Sequence, residues 1–485
     1  MAAPRSGHIE WLGACGEILM APLHTGSPNS MLRYAPVWVH LFVYVVTCLI
    51  AATVFYFDYR PIVVFVEYFS GAIIPKEYTF HEAVVLWALL LGAPVLFVLG
   101  FFVAMQVRIS AAFPLLRKIV GRSDHAVPAW MPMLLFVTAA GVGGYDLLRA
   151  GGFAKLMVWG DYGAWVEARW ALFSTLGYFN FVNLYLILPV SAAWLILSIQ
   201  GNGWKALAKR LIPVAIVIVL NLLLFQKKAL IVSLIIILGA VFLHRGLLGP
   251  WARGVTWALV AATGLLSTVY FSLVVLPIYS EASKTASQVF EHSEVDPKYS
   301  EVDPKLLVLA EEINSMVGSS RGAHIFAYAA LAPMTRTSLP AMHYPVVFPE
   351  RHPYYGLDFG QDILGFGGMP DDNLVIWKHM YPSLPGAAGA PYQFALYSQV
   401  GVAWALMLCF IVGIVLGVVW KIILADDISR VWRSLMGSVL ILFSIYLAID
   451  SIRGSLLASY GLIWAWLFIS LFFFLSNSLL RPNKA

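Results

Sequence analysis

The chain has 485 residues, of which 60% are hydrophobic and only 12% are charged, with a formal net charge of +5. Average soluble proteins carry about 25% charged residues, so this composition excludes a water-soluble enzyme, a nucleic-acid-binding protein and a disordered chain. It is typical of an all-α polytopic membrane protein, since each spanning helix needs about 20 mostly apolar residues.

Apolar runs of spanning length predict about ten transmembrane helices, with a range of ten to twelve. The N-terminal segment 1–35 contains no such run and is predicted to be cytoplasmic. A shorter run, 61–75, is predicted to be interfacial or re-entrant. Helices 1–7 lie within 36–277 and helices 8–10 within 393–480. The ten predicted spans are 36–57, 82–105, 127–147, 173–198, 207–225, 229–245, 254–277, 393–420, 433–449 and 456–477.

The distribution of Lys and Arg predicts the orientation. With a cytoplasmic N-terminus, 16 basic residues fall on the cytoplasmic side and 8 in the short loops opposite. Cytoplasmic loops of membrane proteins carry an excess of Lys and Arg, so both termini are predicted to be cytoplasmic. Isolated polar residues within the spans are predicted to form interhelical hydrogen bonds; they are His40, Asn180, Asn183 and Asn221.

One long connection, 278–392, is placed outside the membrane by this topology. It holds 13 of the 26 acidic residues and 5 of the 11 histidines. Structureless connections of this length are uncommon inside compact folds, so the loop is predicted to form a subdomain with a function.

Cations on the external side suggest a phosphate or pyrophosphate site. Lys227 and Lys228 open a helix after an almost absent loop, and Arg321, Arg336 and Arg351 lie in the long loop. Lysine binds phosphate as a point charge and arginine as a bidentate donor. The alternative for the two lysines is that they end a helix and extend their charged heads to the interface.

Aromatic side chains in the same loop suit carbohydrate contact. Trp377 and Tyr381 can pack on the apolar faces of sugar rings, but the aromatic belt at membrane interfaces explains them equally well. The sequence contains no phosphate-cradling P-loop, no HExxH zinc motif and no GxSxG nucleophile motif.

Three features resemble bacterial oligosaccharide repeat-unit polymerases, the O-antigen and exopolysaccharide polymerase group. The first is ten or more spans with one large external loop late in the chain, and the second is the lysine that opens an aliphatic helix in the segment Gln226–Val232. The third is the loop exit, where Pro391, Tyr397 and Val400-Gly401 precede the glycine-containing run Ile411–Gly417.

The resemblance implies a GT-C-like glycosyltransferase of the bacterial inner membrane with a periplasmic active site. Such enzymes transfer a growing glycan from undecaprenyl pyrophosphate to a lipid-linked repeat unit, with no metal or cofactor. Carried over by position, the helix-opening lysine is Lys227 or Lys228, and the catalytic loop arginine is Arg321. A chain-length regulator and a flippase are the implied protein partners.

A general base is expected to deprotonate the acceptor hydroxyl. The candidates on the external side are His324, His343, Asp362, Asp371 and Asp372, with His343 and then Asp362 preferred.

Two other functions stay open. A lipid-linked glycan flippase or secondary transporter would show related halves and ionisable groups within the spans, neither of which is evident in the sequence. A glycan ligase, which transfers finished glycan to another acceptor, shares the expected fold and chemistry.

Overall fold

The structure is a computed structural model that describes residues 32–59, 63, 73–107, 130–151, 171–172, 174–199, 204–224, 227–244, 337–356, 372–381, 388–425, 429–451 and 461–480. Every regular element in these ranges is a helix. Helices suit lipid because they satisfy their backbone N–H and C=O groups internally.

Nine of the helices in the described part of the chain overlap the predicted apolar runs, and two, α7 and α8, lie within the predicted external loop 278–392. In chain order they are α1 (Ala35–Tyr56), α2 (Phe80–Gln106), α3 (Trp130–Arg149), α4 (Tyr178–Ser198), α5 (Trp204–Leu222), α6 (Lys227–His244), α7 (337–347), α8 (Asp372–Met380), α9 (Tyr392–Ile423), α10 (Arg430–Leu447) and α11 (Leu462–Leu480).

Among the described residues, six of these helices are long and apolar enough to cross a membrane, namely α1 to α4, α9 and α10. Shorter apolar stretches lie within α6 and α11. A helical membrane protein is therefore confirmed. Three finer points stay predictions: the count of about ten spans, the GT-C-like arrangement and the subdomain at 278–392. The described residues do not include the predicted span 254–277 or most of 61–75.

Cations cap helices at one end of the bundle, called here the basic end. Lys421 donates to the carbonyl of Met105 at the C-terminus of α2 (2.8 Å), and Arg433 donates to the carbonyl of Ala425 after α9 (2.6 Å). Arg210 donates to the carbonyl that follows α4. The last carbonyls of a helix lack partners within it and favour cations, so these side chains stabilise helix ends. The opposite end of the bundle is called the loop end.

Glycines let α2 and α9 approach closely. A Cβ atom on Gly413 would lie 2.1 Å from the carbonyl oxygen of Phe97, and one on Gly100 would lie 2.1 Å from the carbonyl oxygen of Phe410. Small residues at such contacts bring two backbones together where no hydrophobic force acts between helices. The glycine-containing run Ile411–Gly417 thus forms a helix-packing surface.

Polar groups within the spans make interhelical hydrogen bonds. His40 donates to the carbonyl of Ser444 (2.9 Å), Asn183 donates to that of Ala139 (3.0 Å), and Asn221 donates to the Ser233 hydroxyl (2.9 Å). The predicted role of His40, Asn183 and Asn221 is confirmed. 

A proline in α2 has its own compensation. Pro94 has no N–H to donate to the carbonyl of Leu90 four residues earlier, and this carbonyl accepts the Tyr44 hydroxyl of α1 instead (2.9 Å).

The described part of helix α7 starts inside the bundle. The Thr337 hydroxyl donates to the carbonyl of Thr47, well within α1 (2.6 Å), whereas the carbonyl of Met342 accepts from Tyr78, which lies just before α2 at the loop end (3.2 Å). The chain therefore rises along α7 from the interior towards the loop end.

Helix α9 is broken at Gly401. This glycine has φ 77° and ψ 173°, a conformation that side chains with a Cβ rarely adopt, and it separates 392–400 from 402–423. The Tyr392 ring lies 6.0 Å from that of His40 and 6.1 Å from that of Phe97, between centroids. The carbonyl of Phe97 abuts Gly413, about 18 Å along the helix from Gly401. The half-helix 392–400 therefore folds back into the bundle beside 402–423.

We expect Gly413→Ala to destabilise the protein by about 1–3 kcal/mol, because the added methyl group must displace backbone. The measurement is thermal unfolding in detergent. Gly141→Ala is the matched control, since nothing lies within 4 Å of its Cβ position and alanine is the better helix former. Equal melting temperatures for the two variants would contradict the close α2–α9 contact.

Candidate functional site

Three side chains form a hydrogen-bonded chain at the loop end. Arg351 Nη1 donates to His379 Nε2 (2.5 Å), and Nδ1 of His379 lies 2.8 Å from Nδ1 of His343. His343 Nε2 lies 2.8 Å from the carbonyl oxygen of Ile73. Arg351 is exposed, His379 is half-buried and His343 is fully buried. This series of hydrogen bonds thus runs from solvent to the interior.

The arginine dictates both histidine tautomers. A guanidinium can only donate, so Nε2 of His379 accepts and its Nδ1 carries the proton. His343 Nδ1 then accepts from His379, and its Nε2–H donates to the carbonyl of Ile73. Both imidazoles are therefore neutral.

Burial explains why the pair stays neutral. Desolvation, followed by the neighbouring His379, lowers the pKa of His343 to about 3. Desolvation and the Arg351 charge also lower the pKa of His379 below its ordinary value. The first cause penalises the charged imidazole and the second repels it.

A buried carboxylate joins the helices around this chain. Asp372, at the start of α8, accepts from the Tyr344 hydroxyl of α7 (2.8 Å) and from the Ser398 hydroxyl of the half-helix 392–400 (3.1 Å). Its second oxygen accepts the backbone N–H of Asn373 (3.0 Å). Since Tyr344 follows His343 directly, Asp372 fixes the element that carries the buried histidine. 

Backbone contacts hold both ends of α8. The N–H of Ile73 donates to the carbonyl of Met380 (3.2 Å), and the N–H of Ala388 donates to the carbonyl of Asn373 (3.1 Å). Helix α8 therefore presents its side chains in a fixed orientation.

Trp377 of α8 and Tyr381, which directly follows α8, form an aromatic pair. Their ring centroids are 4.4 Å apart with an interplanar angle of 39°, and both side chains are half-buried. His379 lies two residues from each, which corresponds to about 200° around a helix. The aromatic pair and the histidine therefore occupy opposite flanks of α8.

Lys228 also lies at the loop end. Its exposed side chain places Nζ 5.0 Å from the centre of the Tyr446 ring near the C-terminus of α10. Two residues after α10, the carbonyl oxygen of Ile449 is 3.4 Å from the Cβ position of Gly389, and Gly389 follows the residue that bonds Asn373. A continuous set of contacts thus links Lys228 to α8.

The remaining predicted site residues divide into two groups. Lys227 is the first residue of α6. Arg321, Arg336 and Asp362 lie outside the described residues, as do His324 and Asp371. Within the described ranges, no three His, Cys, Asp or Glu side chains are grouped so that they could hold a metal ion.

His379 is the functional candidate that sequence reasoning missed. Its partner His343 is 36 residues away, and no pattern in a single sequence shows that two such residues meet. His343, the preferred base, has both ring nitrogens in hydrogen bonds and is fully buried. Its geometry suits a residue that positions His379 better than one that meets a substrate.

Comparison of the chain with protein-family models, with curated proteins and with solved structures finds no match.

The free energy of unfolding should fall as the pH drops below 6.5. The unfolded chain then protonates His343, whereas the folded protein resists protonation until about pH 3. The loss approaches ~1.4 kcal/mol per pH unit for one such group. Melting temperatures in detergent between about pH 7.5 and 5 test this, and His343→Gln should show a shallower slope.

The control for this titration is His81→Gln, which alters an exposed side chain and should keep the wild-type slope. A wild-type slope in His343→Gln would show that the buried pair does not resist protonation.

Tyr344→Phe should lower stability by about 1–3 kcal/mol, because the buried Asp372 carboxylate loses a donor. Chemical or thermal unfolding in detergent measures the change, with Tyr145→Phe, an exposed tyrosine, as the control. If both variants unfold alike, the Asp372 hydrogen bonds do not hold α7 and α8 together.

Proposed function

We propose that the chain is a membrane glycan polymerase that transfers a growing polysaccharide from undecaprenyl pyrophosphate to a lipid-linked repeat unit. The observation that carries this proposal is that Lys228 and Arg351 lie at the same end of the bundle, where Arg351 is hydrogen-bonded to a neutral histidine pair. Cationic side chains stabilise the charge that develops on a departing pyrophosphate, which is the electrostatic contribution such a reaction needs.

The residues that carry the family resemblance support the proposal through their places in the fold. Pro391 precedes the half-helix 392–400, Tyr397 donates to the carbonyl of Phe348 (2.6 Å), and Gly401 makes the turn back into 402–423. Together they position Ser398, which binds Asp372. The motif at the loop exit thus helps to build the wall of the candidate site.

The two ends of the bundle support the proposed orientation. The basic end carries the capping cations Lys421, Arg433 and Arg210, in keeping with a cytoplasmic side. The loop end then faces the periplasm of a bacterial inner membrane. Lipid-linked repeat units delivered by a flippase meet the site there, and a chain-length regulator is the second expected partner.

Within this function, the side chains take distinct roles. Lys228 and Arg351 bind the pyrophosphate, and His379 accepts the proton of the acceptor hydroxyl with His343 holding its tautomer. Trp377 and Tyr381, on the flank of α8 opposite His379, offer apolar faces to sugar rings away from the reacting hydroxyl. Arg321 and Asp362 keep the catalytic roles that the resemblance and the sequence assign to them.

A secondary transporter or flippase is the second candidate, and a specific observation favours it. The half-helix 392–400 begins inside the bundle, and transporters bind substrates at the ends of such broken helices. Its N-terminus directs the positive end of its dipole inwards, which suits an anionic cargo.

The two candidates predict different glycans in a producing strain. Under the polymerase proposal, the double variant Lys228→Ala and Arg351→Ala loses long chains and accumulates single lipid-linked repeats on the periplasmic face. Gel analysis of chain length and protease or lectin access to the repeats measure this. Lys378→Ala, an exposed cation on α8, is the matched control and should keep the wild-type chain length.

Long chains at wild-type abundance in a stably expressed double variant would exclude the pyrophosphate site. Repeats trapped on the cytoplasmic face would instead support the flippase. Normal polymer that fails to reach a final lipid or protein acceptor would identify a ligase.

A further inference from the structure

The Arg351–His379 hydrogen bond has a consequence for reactivity. Nε2 of His379 is the ring nitrogen of the pair that meets the exposed Arg351, whose Nη1 lies 2.5 Å from it. The other three ring nitrogens of His379 and His343 bond to each other or to the carbonyl of Ile73. While Arg351 stays in place, the described geometry offers the pair no free lone pair for a substrate proton.

We propose that Arg351 is a latch on His379, and that an anion of the pyrophosphate class opens it by drawing the guanidinium away from Nε2. Arg351 is exposed, so its guanidinium can turn towards a ligand in solvent without unfolding α7 or α8. Arginine binds phosphate groups through two parallel N–H donors, a stronger pairing than one hydrogen bond to a neutral imidazole.

The hydrogen bonds of the buried His343 already suit the state in which Arg351 has moved away from His379. When Nε2 of His379 takes up a proton, Nδ1–H still donates to His343, and Nε2–H of His343 still donates to Ile73. The imidazolium therefore forms without a change of tautomer or rotamer in the buried residue. His343 is a positioning residue in this scheme, and other charged groups near the latch are Glu350 and Lys378.

This latch rests on the proposed function for its place in catalysis. The acceptor hydroxyl oxygen forms a bond to the anomeric carbon, the bond from that carbon to the pyrophosphate oxygen breaks, and its electron pair leaves with the pyrophosphate. The hydroxyl proton passes to Nε2 of His379. The latch thus makes the base available only when the donor's pyrophosphate is bound.

The experiment measures the reactivity of His379 towards diethyl pyrocarbonate, which modifies neutral imidazole lone pairs. Purified full-length protein is treated with and without inorganic pyrophosphate at matched ionic strength, and modified peptides are quantified by mass spectrometry. We expect pyrophosphate to accelerate modification of His379 by about tenfold, because it removes a charge-assisted hydrogen bond from Nε2. Arg351→Ala should react at the fast rate without pyrophosphate.

Two controls make the result specific. The exposed His81 should react equally under all conditions, and Lys378→Ala should retain the pyrophosphate effect. A wild-type protein that already reacts as fast as Arg351→Ala overturns the latch. Slow modification with pyrophosphate, or an equal acceleration by sulfate, overturns the assignment of the pyrophosphate class as the opener.

Chain-length analysis separates this inference from the proposed function. His379→Gln should abolish long chains if the unmasked base takes part in transfer. Long chains in His379→Gln would refute the latch's catalytic role and leave the polymerase intact. If pyrophosphate accelerates the modification of His379 but deletion of the protein leaves polymer production unchanged, the polymerase is refuted and the latch stays intact.

Discussion

The rest of the structure depends on a single requirement, that helices ending inside an apolar bundle must find partners for their exposed backbone groups. The described part of α7 reaches inside the bundle at Thr337, and the half-helix 392–400 begins there at Tyr392. The Thr337 hydroxyl is paired with the carbonyl of Thr47, and Pro391 removes one of the N–H groups that would otherwise need a partner at the start of the half-helix.

These two segments bring the polar chemistry of the loop end together. Asp372 joins them through Tyr344 and Ser398, and His343 precedes Tyr344 on the same helix. A buried carboxylate with several donors is far more stable than one with few, so the three elements are held as a unit. Arg351 can contact His379 because both residues lie on the outer surface of this unit.

Sequence reasoning predicted the apolar helices well because each one is a local property of about 20 residues. The sequence also predicted the position of Lys228 at the start of α6. It predicted the interhelical hydrogen bonds of His40 and Asn221 as well, since a polar residue in an apolar run needs a partner. The pairing of His343 with His379 could not be predicted, because the two residues are far apart in the sequence and residue periodicity does not show how the chain turns between them. The fold-back at Gly401 was missed for a similar reason: the apolar run from 393 onwards reads as one span, and only the backbone angles show the break.

Positive charges at helix ends, such as those of Lys421, Arg433 and Arg210, matter both during membrane insertion and in the folded protein. During insertion, positive charges beside a span decide which side of the membrane it faces. In the folded protein the same side chains satisfy carbonyls that would otherwise lack a donor. A substitution at the basic end therefore has to preserve a hydrogen-bond donor as well as a charge, so lysine or arginine is harder to replace there than on an ordinary exposed surface.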